Sequence, residues 1–463
     1  MPYQALCVPR STRYTAGVLL KQGFYLMPAL DENSAHKQRG AEHPQEGSGT
    51  IPSTIRTSPK GSPTLPPPSP HLSEGEQKLL ANHGFCGTNR LALPVTARIA
   101  QLWPDLIQRG PAYAFFNFLM TADRPIGPRS IRSLLEHVPT WAIQQAMRFP
   151  GPDKRTELIS TLLQLSLKAG VVGHYDLSNA LSPEDTLGVW EMMLGKYGFY
   201  SACDFDPKQP TMTLQDAAAA KVRAILGLLG ISPENSSRDL HFADLGCGWG
   251  AMVAGALDAG LAPQNITAIT TSPHQLKMLR TDSRFAGVQA ADFDIIQGGL
   301  LPGYYDAILT IGGVEHSPPE DMQRVFETWA AALKPGGKIV LEFFCDNKSS
   351  PYVRYDHPGI SQTSLLAQLV FTGATVRDMP HYRAAWQGAG LEEARHSLQK
   401  LDSHCYARTM RAWADNLEQH KADILNMNNG LGVWNHLMTY LILGEWVFRN
   451  EMFETWRVVL KRR

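Results

Sequence analysis

The stretch that most constrains this chain is FADLGCGWGAMVA, residues 242–254. An apolar run ends in an acid and then in glycines at 246, 248 and 250. Glycine adopts backbone angles that a Cβ forbids, so the chain turns tightly out of a strand and approaches a ligand closely. The helix that follows directs its N-terminal NH groups at that ligand. Taken alone the loop is ambiguous, because Gly246, Gly248 and Ala251 also satisfy the GxGxxG/A dinucleotide pattern. Two features weigh against a nicotinamide dinucleotide. The ribose-binding acid expected about 20 residues further on is absent, and Thr270, Thr271 and Ser272 stand there instead. Asp244 is also acidic where a pyrophosphate would face the strand end, and an acid there suits a cationic ligand such as a methionyl ammonium.

The residues around the loop alternate between two periods. LHFADLG (240–246), NITAITTS (265–272), YDAILTIGG (305–313) and GKIVLEFF (337–344) are β-rich runs, with helical patterns such as MQRVFETWAAALK (322–334) between them. This alternation predicts a doubly wound α/β sheet whose ligands sit beyond the carboxyl ends of the strands. LKPGGKIVLE (333–342) adds the turn and strand that often close a methyltransferase helix. Together with the glycine loop it points to S-adenosyl-L-methionine (SAM) as the cofactor.

Composition limits what else the chain does. The 43 basic and 43 acidic side chains cancel, which removes any global reason to expect nucleic acid as a partner. The six cysteines (Cys7, Cys86, Cys203, Cys247, Cys345, Cys405) show no CxxC spacing. A structural zinc site, any other metal site and a disulfide framework are therefore not expected, and a reducing, cytoplasmic compartment is. No apolar run reaches the roughly 18 residues of a membrane span. The nearest, LMTYLILGEWVF (437–448), carries Gly444 and Glu445, so a soluble protein with scope for peripheral membrane contact is expected.

Three regions follow. Residues 1–75 are rich in Pro, Ser, Thr and Gly, bury too little to offset their ordering entropy, and are expected to be a disordered tail. Their first 30 residues hold Arg10, Arg13 and Lys21 with no acid before Asp31. That faintly resembles an organellar transit peptide but lacks a clear amphipathic helix. Residues 76–170 read as helical, as in VTARIAQLWPDLI (95–107) and RTELISTLLQLSLKAG (155–170), and suit a scaffold or a homodimer surface. Residues 171–463 carry the cofactor signals.

From 171 onward the chain resembles the cyclopropane-fatty-acyl-phospholipid synthase superfamily, which includes mycolic-acid methyltransferases and relatives that methylate amines. GHYDLSN (173–179) and FYSACDF (199–205) are similar to that family's segment leading in over the cofactor. TLQDAAAAKVRAILGLLG (213–230) is similar to the helix before its glycine loop. DLGCGWG, AITTSPHQ, TIGGVEHS and LKPGGKIVL follow in the family's order, and SHCYARTMRAW (403–413) resembles its late substrate-side helix. The resemblance implies a class I SAM-dependent methyltransferase with a Rossmann-like core. It also implies helical cap elements around 348–390 and 405–450, over a small-molecule or lipid substrate. It makes Tyr175, Ser201, Asp244, Gly246, Gly248, Thr270 and Gln275 cofactor contacts, with Thr270 and Gln275 taking the usual acid's place at the ribose hydroxyls.

The chemistry then calls for a base. A sulfonium methyl is already activated, so the enzyme must position a nucleophile and exclude water. Methylating an alkene leaves a carbocation, which aromatic faces stabilise and a base resolves by taking a proton. Glu315, in GGVEH after the fourth core strand, matches the family's carboxylate, with His316 beside it a structural hydrogen bonder. Tyr406 carries over as an active-site hydroxyl on one helical face with Met410, Trp413 and Leu417. Cyclopropane-forming members use a bicarbonate base held by a cysteine, that glutamate, a histidine and the tyrosine. Here Ala202 stands in the cysteine's place with Cys203 one residue on, and Glu342 stands in the histidine's. A second carboxylate would repel bicarbonate and raise one pKa of the pair. Glu315 and Glu342 are therefore expected to share the base role. The leading expectation is C-methylation of an unsaturated lipid or isoprenoid-like acceptor. The alternatives are an amine N-methyltransferase, for which EFFCDNKSSPYVRY (342–355) offers a loose likeness, cyclopropane formation, and a SAM-binding protein without transfer activity.

Overall fold

Phe242–Leu245 (β1) and Ile266–Ile269 (β2) are buried at every position, the pattern of parallel strands covered by helices on both faces. The computed structural model describes residues 111–139, 174–177, 181–195, 198–234, 239–292, 299–317, 321–350 and 376–462, with the isolated Thr96 and Trp141. All of them belong to one compact unit, Ser62–Arg463. The tail over 1–75, the stretches 95–107 (Thr96 apart) and 155–170, and residues 351–375 of the first cap element lie outside the described residues.

Gln289–Ala291 (β3), Tyr305–Ile311 (β4) and Leu333–Asp346 (β5) complete a parallel core in the order β3-β2-β1-β4-β5. Phe453–Arg462 (β8) returns antiparallel to β5, and Leu391–Glu393 (β6) and Gln399–Leu401 (β7) pair with β8. The strand order reverses between β1 and β4, so a crevice opens beyond their carboxyl ends. The expected turn at Pro335-Gly336-Gly337 is absorbed into β5 instead of preceding it. Pairing with β4 jumps from Tyr305↔Leu333 to Ala307↔Lys338, and Gly336 takes φ 79° to make the irregularity.

Helices Pro111–Met120 (α1), Pro128–His137 (α2), Pro183–Leu194 (α3) and Leu214–Leu229 (α4) precede the sheet. Thr213 caps α4 by accepting from the Asp216 NH, and Gly230, at φ 84°, ends it in the left-handed conformation. Ala251–Asp258 (α5), Pro273–Thr281 (α6) and Met322–Ala332 (α7) connect the parallel strands. Met379–Gly388 (α8), Ser403–Gln419 (α9), Lys421–Asn426 (α10) and Gly430–Arg449 (α11) follow. One apolar core lies between the sheet and α7 with α8, and the other between the sheet and α4, α5, α9 and α11.

The run 437–448 that came nearest to a membrane span is the middle of α11, packed inside the protein. Its Gly444 lets α9 approach, since a Cβ there would stand 2.1 Å from Met410 Sδ. Its Glu445 is buried between Arg132 and Arg411, at 2.9 and 2.8 Å. Among the described residues no helix is long and apolar enough to cross a membrane. The described part of the 76–170 region docks on this helix. Asn435 Nδ2 donates to the Ala122 carbonyl and Asn435 Oδ1 accepts from the Ile126 NH, both at 2.9 Å.

Candidate active site

The cofactor end is built by the turn after β1. The Gly246 and Cys247 NH groups both donate to the Ile269 carbonyl, which ties the turn to β2. Gly246 and Gly248 have φ of 80° and 55°, and a Cβ on either would meet nothing within 4 Å. Gly250 differs, because a Cβ there would stand 2.7 Å from Phe285 Cζ. The first two glycines thus leave room for a ligand, and the third leaves room for the protein's own core. Asp244 is 4% exposed, its Oδ2 has no partner, and burial pushes its carboxyl up to about 7. A cationic ammonium is what such a carboxyl lacks.

The loop after β2 supplies the next groups. Thr270 Oγ1 donates to Gln275 Oε1 at 2.6 Å, and Gln275 Nε2 is left buried and unpartnered. Ser272 caps α6 by accepting from the Gln275 NH, and its hydroxyl donates to Asp176 Oδ1. Asp176, buried and pushed up to about 7 by that burial, fastens the Tyr175 segment to this loop. The residues present therefore fit a SAM-type ligand: open glycines, an orphaned acid for the ammonium, and an orphaned amide in place of the ribose acid. Ser201, expected at the cofactor, has its Oγ accepting from Lys221 Nζ at 3.1 Å.

At the acceptor end, Glu315 follows β4 in a short 3-10 turn, Val314–His316, at the carboxyl edge of the sheet. Its Oε1 accepts from the Phe344 NH at 2.7 Å, while Oε2 is buried without a partner. Burial pushes this carboxyl up to about 7. His316 is pushed down to about 4 by burial, so it is neutral and unsuited to be a second base.

Glu342 has a setting other than the shared-proton pair expected of it. Its Oε1 bonds to Lys221 Nζ, and Arg457 reaches its Oε2 at 2.9 Å through Nε. Two cations face one carboxylate in the interior, so Glu342 is held as their counter-ion. Cys203, one residue past the family's cysteine position, is buried and donates its NH to Thr409 Oγ1 at 2.9 Å.

Rings from β5, α9, α11 and the segment 199–204 pack on one another. Tyr200 stacks on Trp413 at 5.1 Å and donates to the Tyr440 hydroxyl at 2.9 Å. Tyr406 stacks on Phe344 at 5.6 Å and contacts Phe448 at 4.3 Å. Met410, Trp413 and Leu417 share the buried face of α9 with Tyr406, as their spacing predicts.

Sequence reasoning missed Asp176, Lys221, Asp204 and Arg457. A signal existed for Lys221, which falls among Leu214, Ala217, Ala218, Val222 and Ile225 on the buried stripe of α4. Arg457 likewise shares its strand face with Phe453 and Thr455 by period-two alternation.

A doubly wound sheet with an acid-terminated first strand and an open glycine turn is the form of class I SAM-dependent methyltransferases. The family model for mycolic acid cyclopropane synthetase matches residues 166–458, and the chain belongs to that family. It is a SAM-dependent methyltransferase with S-adenosyl-L-methionine as its cofactor. Cyclopropane mycolic acid synthase 3 of Mycobacterium tuberculosis (strain CDC 1551 / Oshkosh) is 26% identical over 287 residues, covering 58% of this chain and 89% of that protein. The solved structure of the cyclopropane synthase MmaA2 from Mycobacterium tuberculosis superposes with a TM-score of 0.53 at 23% identity, over 64% of this chain and 98% of that one. Coclaurine N-methyltransferase, solved with N-methylheliamine and SAH, shares the fold with a TM-score of 0.51 at 17% identity, over 72% of this chain and 98% of that one.

Proposed function

We propose that this enzyme transfers a methyl group from SAM to a carbon of an unsaturated lipid or isoprenoid-like acceptor, with Glu315 as the base. The observation that carries the reading is the asymmetry of the two carboxylates: Glu342 is consumed by Lys221 and Arg457, and Glu315 Oε2 is buried with no partner. When bound, the cofactor supplies an activated sulfonium methyl. The rest is the chain's work. Tyr406 and Phe344, stacked on each other beside the Phe344 NH that holds Glu315, would turn their remaining π surface to positive charge that develops on the acceptor. The acceptor's π electrons form the new carbon–carbon bond as the methyl–sulfur bond breaks and its electron pair stays on a neutral thioether, which leaves the neighbouring carbon of the acceptor electron-poor. Glu315 then takes one proton, which gives a methylene or methyl-branched alkene, or a cyclopropane if the added methyl is what loses it. A carboxyl near 7 suits that duty at neutral pH, and its basic form grows as pH rises through this value.

The same asymmetry supports a protein-borne base in place of bicarbonate. Lys221 and Arg457 are already satisfied by Glu342 and Asp204 and offer little pull on an added anion. It also disfavours an amine acceptor, for which two free carboxylates would have formed a cation-binding pair. The test supplies methyl-¹³C SAM with vesicles of an oleoyl phospholipid, with a prenyl alcohol, and with a secondary amine, and reads the products by NMR. A labelled methyl, methylene or ring carbon bonded to carbon is expected. A labelled methyl bonded only to nitrogen overturns the reading.

A further inference from the structure

Four charges lie behind the segment Phe199–Asp204 and sum to zero. Lys221 is fully buried and meets Ser201 Oγ at 3.1 Å, the Ala202 carbonyl at 2.6 Å, and Glu342 Oε1. Its Nζ also stands 4.9 Å from the centre of the Phe199 ring. On the far side of Glu342, Arg457 reaches Asp204 through both terminal nitrogens at 2.9 and 3.1 Å. One carboxylate on β5 therefore gathers two cations, and each cation grips a different part of the segment that leads in over the site.

Stability alone does not explain such a cluster. A buried ion pair is often no better for stability than apolar side chains of the same volume. Its place on the sheet is more informative. Glu342 and Phe344 project from the same face of β5, about 7 Å apart along the strand, and the Phe344 NH is what holds Glu315. Among the groups coupled to Glu315 it is Glu342 whose charge pushes on it, while Glu315 in turn pushes Tyr175, Tyr382 and Cys345 up. Burial keeps both tyrosines and the thiol protonated near neutrality, and His316 beside Glu315 is neutral as well. Within that set the charge on Glu342, balanced by Lys221 and Arg457 behind it, is the one that can be changed by substitution.

We propose that Lys221, Glu342 and Arg457 form a positioning clasp, which holds segment 199–204 against the sheet and limits the like-charge push of Glu342 on Glu315. The proposal rests on Glu315 being the base, but its test does not. Glu342→Gln leaves Lys221 uncompensated, removes a like charge, and favours ionised Glu315. Lys221→Met does the reverse. The double variant Lys221→Met with Glu342→Leu removes a neutral pair, and Arg457 keeps Asp204, so it folds even where a single variant does not.

The measurements are the ¹³C titration of the Glu315 carboxyl, assigned by its loss in Glu315→Gln, and amide exchange over 199–204. The Glu315 midpoint is expected to fall by about one pH unit in Glu342→Gln, to rise in Lys221→Met, and to return to the wild-type value in the double variant. Amides of 199–204 exchange at least about tenfold faster in the double variant, while those of β4 do not change. Lys221→Arg restores their protection. A midpoint that is the same in every folded variant, or unchanged exchange over 199–204, overturns the clasp. If the midpoints move as stated and Glu315→Gln keeps full methyl transfer, the clasp stands and the assignment of Glu315 as base falls.

Discussion

Glu315 and Glu342 are buried to nearly the same degree, at 4% and 2% exposure, yet their surroundings differ in kind. Glu342 faces two cations that are themselves anchored, and it acts as a joint between the sheet, α4, β8 and the segment 199–204. Glu315 has one backbone donor and one oxygen with nothing to bond, and it is held near the pH at which a proton comes and goes. Burial does not decide what a carboxylate does. The partners left on it after folding decide, and they follow from which neighbouring helix and strand faces carry cations.

The comparison breaks most sharply through the base. Glu315→Gln is expected to lower kcat by about 10²- to 10⁴-fold with SAM affinity unchanged, measured by single-turnover transfer and calorimetry. The same variant is expected to be more stable at pH 8, by up to about 3 kcal/mol in urea unfolding. The sign follows from the raised carboxyl: the native state keeps a proton that the unfolded chain has already lost, so stability falls as pH climbs from 4.5 towards about 7. Glu315→Gln carries no such penalty, and its advantage vanishes in acid.

The joint responds the opposite way. Lys221→Met leaves a buried carboxylate short of one cation and is expected to cost about 3–5 kcal/mol, most of it recovered when Glu342→Leu is added. The cofactor end gives smaller effects. Gly250→Ala drives a Cβ into Phe285 at a left-handed φ of 81° and is expected to destabilise by about 1–3 kcal/mol. Gly248→Ala meets open space but keeps a left-handed φ of 55°, so a loss of SAM affinity is expected beside about 1 kcal/mol of backbone strain. Least of all, SAM binding to wild type is expected to tighten up to about tenfold per unit as pH rises towards 7, with a proton released below it. Asp244, raised to about 7, must ionise to meet an ammonium. Calorimetry in buffers of different ionisation enthalpy reads that proton.

The cofactor half was legible because its signals are local. A glycine turn, a Ser272 cap and the Thr270–Gln275 pair each lie within a few residues of chain, and the structure brings them to one crevice. The acceptor half depends on contacts far apart in sequence. Lys221 and Glu342 are separated by 121 positions, and Arg457 and Asp204 by 253, so no window shows that these charges cancel. Glu342 was readable as a carboxylate in the histidine's place, but not as a counter-ion, because its partners come from a helix stripe and an antiparallel strand. The bulge at Gly336 was misplaced for a related reason: a Pro-Gly-Gly run marks a break, and only pairing with β4 shows that the strand continues through it.

The most direct measurement is chemical rescue on whichever acceptor the labelling experiment identifies. Glu315→Ala and Glu342→Ala are each assayed with and without formate, and the wild type with and without bicarbonate. The account predicts that formate restores transfer to Glu315→Ala but not to Glu342→Ala, and that bicarbonate leaves the wild-type rate unchanged. Formate rescue of Glu342→Ala alone, or a wild-type rate that rises with bicarbonate, would contradict it.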